Sequence, residues 1–257
     1  MSDSMTHASR WAVKAAALAV SGLAVLTVMA LPVQGAGVDF LDIDRQYFHR
    51  NEGSNLQLSI GKLEMAENEL GGASAEVLWR LCRAKLRRGE SLQKKSDRLA
   101  EYDSARRDCE RSIELSSGTA DAHFWLGVSL GRWAETKGMM KALFALKTIK
   151  REMAEVLRLD PSHGGAHNVL GEISWQLPGI VGGDKKKALA EFETALRLSP
   201  RYTANHQPLA EAYLHFKRKD DAIRVLKMVE ATKDPADPAE YPDNLAEAKR
   251  LLEKIDK

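Results

Sequence analysis

Apolar residues recur along most of the chain with the spacing of one face of a helix. From about Asn55 onward they return every three or four residues, and the alternation typical of β-strands is nearly absent. The chain has 38 Lys and Arg and 36 Asp and Glu but only 8 prolines, a composition that suits helices with solvated outer faces. The pattern therefore predicts an all-α protein.

Small residues recur within these predicted helices at fixed intervals. They stand near the centres of four helices, at Cys82, Gly127, Gly171 and Ala210. The second helices that follow have contact positions at Ala105, Ile149, Ala188 and Ala222. A further contact position follows each of these after 7 residues, and the small residue of the next first helix follows after another 15. Because small residues let two crossing helices approach closely, the constant spacing predicts four repeated helix pairs.

This pattern resembles the tetratricopeptide repeat, whose unit is two antiparallel helices. The residues that carry the resemblance are Leu126-Gly127, Leu170-Gly171, Leu209-Ala210, the weaker pair Leu81-Cys82, Ala105, Ala188, Ala222, Pro161 and Pro200. Ile149 departs from the small residue expected at its position. The resemblance implies a right-handed α-solenoid, here with lengthened repeats.

Four parts of the chain are expected on this basis. They are a signal peptide or N-terminal anchor at residues 1–36, a leading segment with one helix at 37–74, four repeats at 75–236 and a C-terminal capping helix within 237–257. Extra residues at 89–99 and 134–147 are expected to lengthen the paired helices by a few turns. Residues 177–184 instead predict a loop, with Asp184 as the N-cap of the next helix.

A narrower resemblance covers residues 125–200, which are similar to the regulator of microtubule dynamics family and its bacterial tetratricopeptide relatives. The segments that carry it are 124–127, 149–152, 159–161, 167–171 and 188–200. The chain is also similar to the T-component family of TRAP-type transporters, periplasmic repeat proteins with a loop like 177–184. It lacks the lipobox cysteine of those T-components. The resemblances imply a fold and a binding role.

The N-terminal segment is typical of a targeting sequence. Two basic residues precede an apolar run at 15–31, which Pro32 ends before the small residues 35–37. We expect a signal peptide that is cleaved after residue 36 and directs the protein to the periplasm or cell envelope. The alternative is an uncleaved membrane anchor through residues 11–31. Because an exported protein would not meet tubulin, no microtubule role is expected.

The sequence contains no pattern that indicates an enzyme, a cofactor or a metal. Serines and histidines form no triad arrangement, and Gly182-Gly183 lack the preceding strand and following Ser or Thr of a nucleotide-binding loop. His123, His167 and His206 occupy the same repeat position, but adjacent repeats lie roughly 10 Å apart, too far to share a zinc ion. The net charge of +2 favours neither nucleic acid nor an anionic membrane.

The surface expected to bind a partner is the concave face of the solenoid, which the first helices form. The candidate partner-binding residues are Trp79, Arg83, Arg87, Phe124, Val128, Arg132, Asn168, Glu172, Trp175, Gln207 and Glu211. Aromatic residues beside arginines, followed by carboxylates, suit a protein or peptide with an apolar anchor and mixed charge. The alternative is that Trp79 and Phe124 pack between repeats and the arginines are solvated.

The predicted function is a non-catalytic, protein-binding scaffold of the bacterial cell envelope. The alternative is an accessory ligand-binding component of a TRAP-type solute-uptake system.

Cys82 and Cys109 occupy facing positions of the first repeat, so their Cα atoms are expected within the ~4.4–6.8 Å that a disulfide needs. Both a disulfide and two buried thiols remain open at this point.

Overall fold

A computed structural model describes residues 37–255, so the predicted signal peptide or anchor at 1–36 lies outside the described residues. The α-helices in the described part are α1 (Phe40–Phe48), α2 (Asn55–Glu69), α3 (Ala75–Ser91), α4 (Lys95–Leu115), α5 (Ala120–Lys137), α6 (Met139–Leu159), α7 (Gly164–Gln176), α8 (Lys185–Leu198), α9 (His206–His215), α10 (Lys219–Ala231) and α11 (Tyr241–Ile255). Residues 37–255 contain no strand, which confirms the all-α prediction.

The helices pair as the repeat pattern predicts. Helix α3 packs on α4, α5 on α6, α7 on α8 and α9 on α10, and each second helix also contacts the next first helix. The extra residues lengthen helices: α4 begins at Lys95 after a short break, and only Gly138 separates α5 from α6. The result is a tetratricopeptide-type solenoid in which first helices line one side and second helices the other.

Small residues at the crossings allow the close packing within the pairs. A Cβ atom added at Gly171 would lie 2.6 Å from the ring of Phe192, which is fully buried on α8. At Gly127 the same atom would collide with the side chain of Met153 on α6. The spacing of small residues therefore reflects real helix contacts, as predicted.

In the first repeat a disulfide takes the place of a small contact. Cys82 on α3 and Cys109 on α4 are bonded, with their Cα atoms 5.5 Å apart. Both residues are fully buried among the side chains that join α3, α4 and α5. The expected proximity is thus confirmed, and of the two states left open by the sequence the structure has the bonded one.

The loop after α7 ends as the sequence predicts. The Asp184 carboxylate accepts hydrogen bonds from the backbone N–H groups of Lys186 and Lys187, at 2.9 and 3.0 Å, and so caps α8. Between the helices, Gly179–Val181 form a single 3₁₀ turn, and Gly182 follows in the left-handed region. The extra residues of this repeat therefore form a short ordered loop and do not extend either helix.

The leading segment 37–74 contains two helices where the pattern predicted one. Helix α1 packs on α2, and its buried Ile43 and Tyr47 join Ile60 and Leu63 in one core. Nine residues are too few to form a helix in water without tertiary support, because nucleation is unfavourable. The periodicity over so short a segment was therefore too weak to predict α1.

Candidate partner-binding groove

The first helices α3, α5, α7 and α9 line the inner face of the solenoid, called the groove below. The predicted residues with part of their surface accessible are Arg87, Phe124, Val128, Arg132, Asn168, Glu172, Trp175, Gln207 and Glu211. Trp79 and Arg83 are buried instead, with 5% and 1% of their surface exposed. The groove that remains runs from the end of α3 to α9.

Arg83 and Trp79 are buried by different neighbours, Arg83 by helix α1 and Trp79 by the core that joins α3 and α5. The Arg83 guanidinium pairs with Asp44 of α1 and lies 3.7 Å from the centre of the Tyr47 ring. The indole N–H of Trp79 donates to Glu76 at 3.0 Å, and its ring belongs to the core between α3 and α5. Trp79 therefore packs between repeats, as in the alternative given above. Arg83 is not solvated as that alternative expected, and it is also not accessible to a partner.

Phe124 packs between the second and third repeats while keeping part of its surface exposed. Its ring centre lies 5.1 Å from that of Trp125 and 4.6 Å from that of His163, the residue before α7. Gly165 permits this contact, since a Cβ atom there would lie 2.9 Å from the Phe124 ring. Phe124 thus contributes to the wall of the groove and to the joint between two repeats.

A network of charges occupies the centre of the groove. Glu90 accepts from Arg87 at 2.9 Å and from Arg132 at 3.0 Å, so it links the first two repeats. Arg132 also pairs with Glu135 at 3.3 Å and keeps about half of its side chain exposed. The exposed edge of this guanidinium is therefore available to a carboxylate or carbonyl group of a partner.

The far end of the groove is acidic and aromatic. Glu172 accepts from the Gln176 amide at 2.9 Å, and Glu211 accepts from the Gln207 amide at 3.0 Å. Burial raises the pKa of Glu172, and the nearby charge of Glu211 raises it further. Trp175 lies one turn beyond Glu172, and one of its faces is covered by the ammonium group of Lys185 at 3.9 Å.

The near end of the groove is crossed by residues 232–240, which join α10 to α11 and are called the strap below. Arg50 donates from both terminal nitrogens to the two carboxylate oxygens of Asp237, each at 2.9 Å. Glu240 pairs with Arg87 and accepts from the Tyr202 hydroxyl at 3.1 Å. The strap thereby joins the last repeat to the segment after α1.

Arg50, Tyr202 and the strap were not among the residues predicted for this site. Arg50 and Asp237 are 187 residues apart, so no local pattern relates them. The one available signal was the repeated Asp-Pro-Ala of residues 234–239, which is unusual between two helices that would otherwise follow directly. Burial and the charge of Glu240 raise the pKa of Tyr202, so its hydroxyl remains a hydrogen-bond donor.

The three histidines at one repeat position bond within their own repeats. His123 contacts Glu152 at 2.7 Å, and His167 contacts Glu191 at 2.7 Å, in each case across the helix pair. His206 contacts the backbone carbonyl of Thr203 at 3.2 Å. Among residues 37–255 no three His, Cys, Asp or Glu side chains are grouped as metal ligands would be.

A second concavity lies on the outer side, between α4 and α6. It has a volume of about 990 Å³, an apolar floor and a rim of charged residues. The apolar floor includes Ile113, Leu126, Leu130 and Trp133. The hydrogen-bonded side chains of His123 and Glu152 border this concavity and do not face the groove.

Comparison with known proteins identifies the relatives of this fold. The family model for regulator of microtubule dynamics protein 1-3 matches residues 43–177, more than half of the chain, and a tetratricopeptide-repeat model matches residues 183–255. Regulator of microtubule dynamics protein 3 from Rattus norvegicus is 26% identical over 147 residues, covering 57% of this chain and 31% of the relative. The protein of the same name from Bos taurus is 26% identical over 159 residues, covering 62% and 34%.

The chain therefore spans about a third of the length of these relatives. Among solved structures, a thermophilic tetratricopeptide-repeat protein from Thermus thermophilus superposes with a TM-score of 0.58 at 18% identity, covering 80% of this chain and 98% of that one. At this identity the likeness establishes the fold alone. It confirms the tetratricopeptide-type solenoid predicted from the spacing of small residues.

The predicted location in the periplasm or cell envelope is wrong. The relatives named above are mammalian regulator of microtubule dynamics proteins, which do not belong to a bacterial envelope. In the part of the chain from 37 to 255, no helix has the length and apolar character needed to cross a membrane. The prediction rested on the apolar run at 15–31, and such a run does not by itself establish where a protein is located.

The matched family model, the mammalian relatives and the paired helices agree with one another. The residues quoted for the narrower resemblance lie in helices α5 to α8 or directly after their ends, and most of them fall within the matched range 43–177. The fold is the type that other proteins use as a protein-interaction scaffold. The chain belongs to the regulator of microtubule dynamics protein 1-3 family.

Proposed function

We propose that the groove binds an extended segment of a protein partner, and that the chain acts as a scaffold without catalysing a reaction. The partner segment would carry an apolar anchor and charges of both signs. The tetratricopeptide-type fold supports a binding role, because stacked helix pairs present a long continuous surface. The mixed chemistry of the groove supports the choice of an extended peptide over a small molecule.

The observation that carries this proposal is the state of Glu172 and Glu211. Within residues 37–255 these carboxylates accept hydrogen bonds only from the Gln176 and Gln207 amides and form no ion pair. Burial and the nearby charge of Glu211 raise the pKa of Glu172, although the hydrogen bond from Gln176 acts in the opposite direction, so its ionised form is less favourable in the free protein than in water. A Lys or Arg of a partner would relieve this cost, while Trp175 offers an aromatic surface beside it.

Site-specific photo-crosslinking tests whether partners enter the groove. A photoreactive amino acid at Val128, within the groove, is expected to capture a partner in cells. The same amino acid at Ala190, an exposed position on the outer helix α8, serves as the matched control and is expected to capture little. Equal capture at both positions, or capture at Ala190 alone, would show that the groove is not the binding surface.

Charge removal tests the role of the two carboxylates. The double substitution Glu172→Gln and Glu211→Gln is expected to reduce capture at Val128 roughly tenfold, as for loss of a binding hot spot. The melting temperature should stay the same or rise, because the substitution removes repulsion between partly buried charges. Glu253→Gln, an exposed residue of α11, is the control for a change of net charge and should leave capture unaltered.

The relatives' name makes microtubules the first partner to test. A microtubule role was not expected only because an exported protein would not meet tubulin, and this reason no longer applies. Co-sedimentation of the purified chain with polymerised tubulin, with and without the Glu172 and Glu211 substitutions, tests this directly. A TRAP-type uptake role, the second expectation from the sequence, has no support from the relatives named above.

A further inference from the structure

We propose that Arg50 and Arg87 form a receptor for an acidic segment of a partner protein, in which a turn places two carboxylates on one side, and that the strap is an internal ligand which this segment displaces. The inference rests on the proposed function, because it names the chemistry of the partner at the near end of the same groove. The required pattern is two carboxylates three positions apart, as in Asp237 and Glu240 of the strap itself.

The strap is held to the segment after α1 and to the first repeat mainly by charged side chains. Arg50 binds Asp237 through two parallel hydrogen bonds of 2.9 Å and also pairs with Glu240 at 3.3 Å. Arg87 pairs with the same Glu240, whose other oxygen accepts from Tyr202. Two guanidinium groups thus bind two carboxylates. A partner segment whose carboxylates have the same spacing can make the same contacts.

The backbone of the strap turns into α11 and is bonded to other parts of the chain on both sides of Asp237. Pro235 and Pro238 remove two of its N–H groups, and residues 238–240 form a turn in which the N–H of Tyr241 donates to the carbonyl of Asp237 at 3.2 Å. The N–H of Ala236 donates to the carbonyl of Arg201 at 2.9 Å, and the carbonyl of Ala239 accepts from the Asn51 amide at 2.7 Å. These contacts do not depend on the identity of the strap's small side chains, which makes the site selective for charge and conformation.

If the strap were released, the guanidinium groups of Arg50 and Arg87 would favour binding of another carboxylate. The Arg50 side chain is 6% exposed and that of Arg87 is 16% exposed, and guanidinium groups remain charged under all ordinary conditions. Release of the strap would uncover both guanidinium groups, and within the described residues only Arg87 would keep a carboxylate partner, Glu90 at 2.9 Å, so the vacated site favours an acidic replacement over an apolar group. The asymmetry between the two ends of the groove would also set the direction of a bound segment.

The strap also lowers the apparent affinity for that segment. It is tethered at both ends, by α10 and α11, and therefore competes at a high effective concentration. A partner binds only the fraction of molecules in which the strap is released. Weakening the strap without altering the arginines should therefore increase binding of an acidic peptide.

The test uses a fluorescent peptide of residues 232–241 and the full chain. Wild-type protein is expected to bind it weakly, and the variant Asp237→Asn with Glu240→Gln is expected to bind it at least about tenfold more tightly, because the internal competitor is weakened. Asp234→Asn is the matched control: this strap residue is 80% exposed, pairs with Arg201 and does not contact Arg50 or Arg87. It should behave as wild type.

Two further measurements keep the result interpretable. A peptide with Asn and Gln in place of Asp237 and Glu240 should not bind, and adding Arg87→Gln to the double variant should abolish binding of the acidic peptide. Melting curves show whether each variant is folded, and Glu240→Gln alone, which keeps the Arg50–Asp237 pair, should give an intermediate gain if the double variant unfolds. Equal binding by wild type and folded strap variants, or binding of the neutral peptide, would overturn the inference.

The outcome separates this inference from the proposed function. If the acidic peptide fails to bind while crosslinking at Val128 still captures a partner, the receptor role of Arg50 and Arg87 is wrong and the groove remains the binding surface. If the peptide binds as expected while crosslinking at Val128 fails, the acidic receptor stands and the assignment of the whole groove is wrong.

Discussion

Arg50 and Asp237, 187 residues apart in the sequence, form a buried two-bond ion pair that connects the first helix pair to the last. Their side chains are 6% and 8% exposed. Asp237 also accepts from the backbone N–H groups of Ala239 and Glu240 at 3.2 and 3.3 Å, and so organises the turn before α11. Solenoid repeats otherwise contact only their neighbours, so this pair adds a long-range link to the fold.

Removal of Asp237 should destabilise the whole described chain. Asp237→Ala leaves the Arg50 guanidinium without its bidentate partner, which costs about 3 kcal/mol for a buried pair. For a domain of this size the melting temperature should fall by roughly 6–12 °C. Glu247→Ala removes half of the exposed pair with Arg250 and should leave the melting temperature unchanged. Similar shifts for both variants would mean that the Arg50–Asp237 pair has no special weight.

Loss of the disulfide should lower stability through the unfolded state. The bond between Cys82 and Cys109 spans a sequence separation of 27 residues. Closing a loop of that length reduces the entropy of the unfolded chain by an amount equivalent to about 3 kcal/mol. Cys82→Ser with Cys109→Ser should therefore lower the urea midpoint, and reducing agent should affect wild type but not the variant. Two free thiols per chain in native, non-reduced protein would contradict the bonded state.

Stability should fall on acidification because of buried neutral histidines. Burial lowers the pKa of His206, although the hydrogen bond to Thr203 acts in the opposite direction, and burial also lowers the pKa of His163. Folded protein then binds fewer protons than unfolded protein, so stability is full above about pH 6.5 and declines as the pH falls below that value.

A single substitution tests this pH dependence. His206→Gln keeps a donor for the Thr203 carbonyl and removes the titrating ring, so the urea midpoint should change less between pH 7 and pH 5 than in wild type. His163 should account for part of the remaining slope. A wild-type midpoint that is constant or rises toward pH 5 would show that the two histidines titrate normally in the fold.

Two glycines of similar helical setting should respond in opposite directions to alanine. At Gly171 the added Cβ meets the buried ring of Phe192 at 2.6 Å, so Gly171→Ala should destabilise by about 1–3 kcal/mol through overpacking. At Gly61 in α2 no atom lies within 4 Å, so Gly61→Ala should stabilise by roughly 0.5–1 kcal/mol. Chemical denaturation of both variants measures the contrast. Equal effects would mean that Gly171 is not a contact position.

Much of the fold could be predicted because its determinants are local. Leu126-Gly127 and Leu170-Gly171 lie within single helices, and their spacing reports the helix crossings of a repeat without reference to distant residues. The Asp184 cap is likewise local, since an N-cap needs only the N–H groups two and three residues ahead.

The site could be predicted only in part, since accessibility depends on distant segments. Val128, Arg132 and Glu172 lie where the repeat positions place them. Arg83, at an equivalent position, is buried under α1, and Trp79 is buried in the core between α3 and α5. Helix α1 is short and gains its stability from packing, so its sequence did not predict the helix or the burial of Arg83 beneath it.

The sequence by itself determined the all-α repeat architecture, the pairing of the helices and the residues that could face the groove. Periodicity and small contact residues act within one or two turns of helix, so they can be read along the chain. Only the tertiary structure decided which of these residues stay accessible and which segment crosses the groove. That choice depends on Arg50 meeting Asp237 and on Arg87 meeting Glu240, contacts that arise only once the stacked repeats bring the two ends of the described chain together.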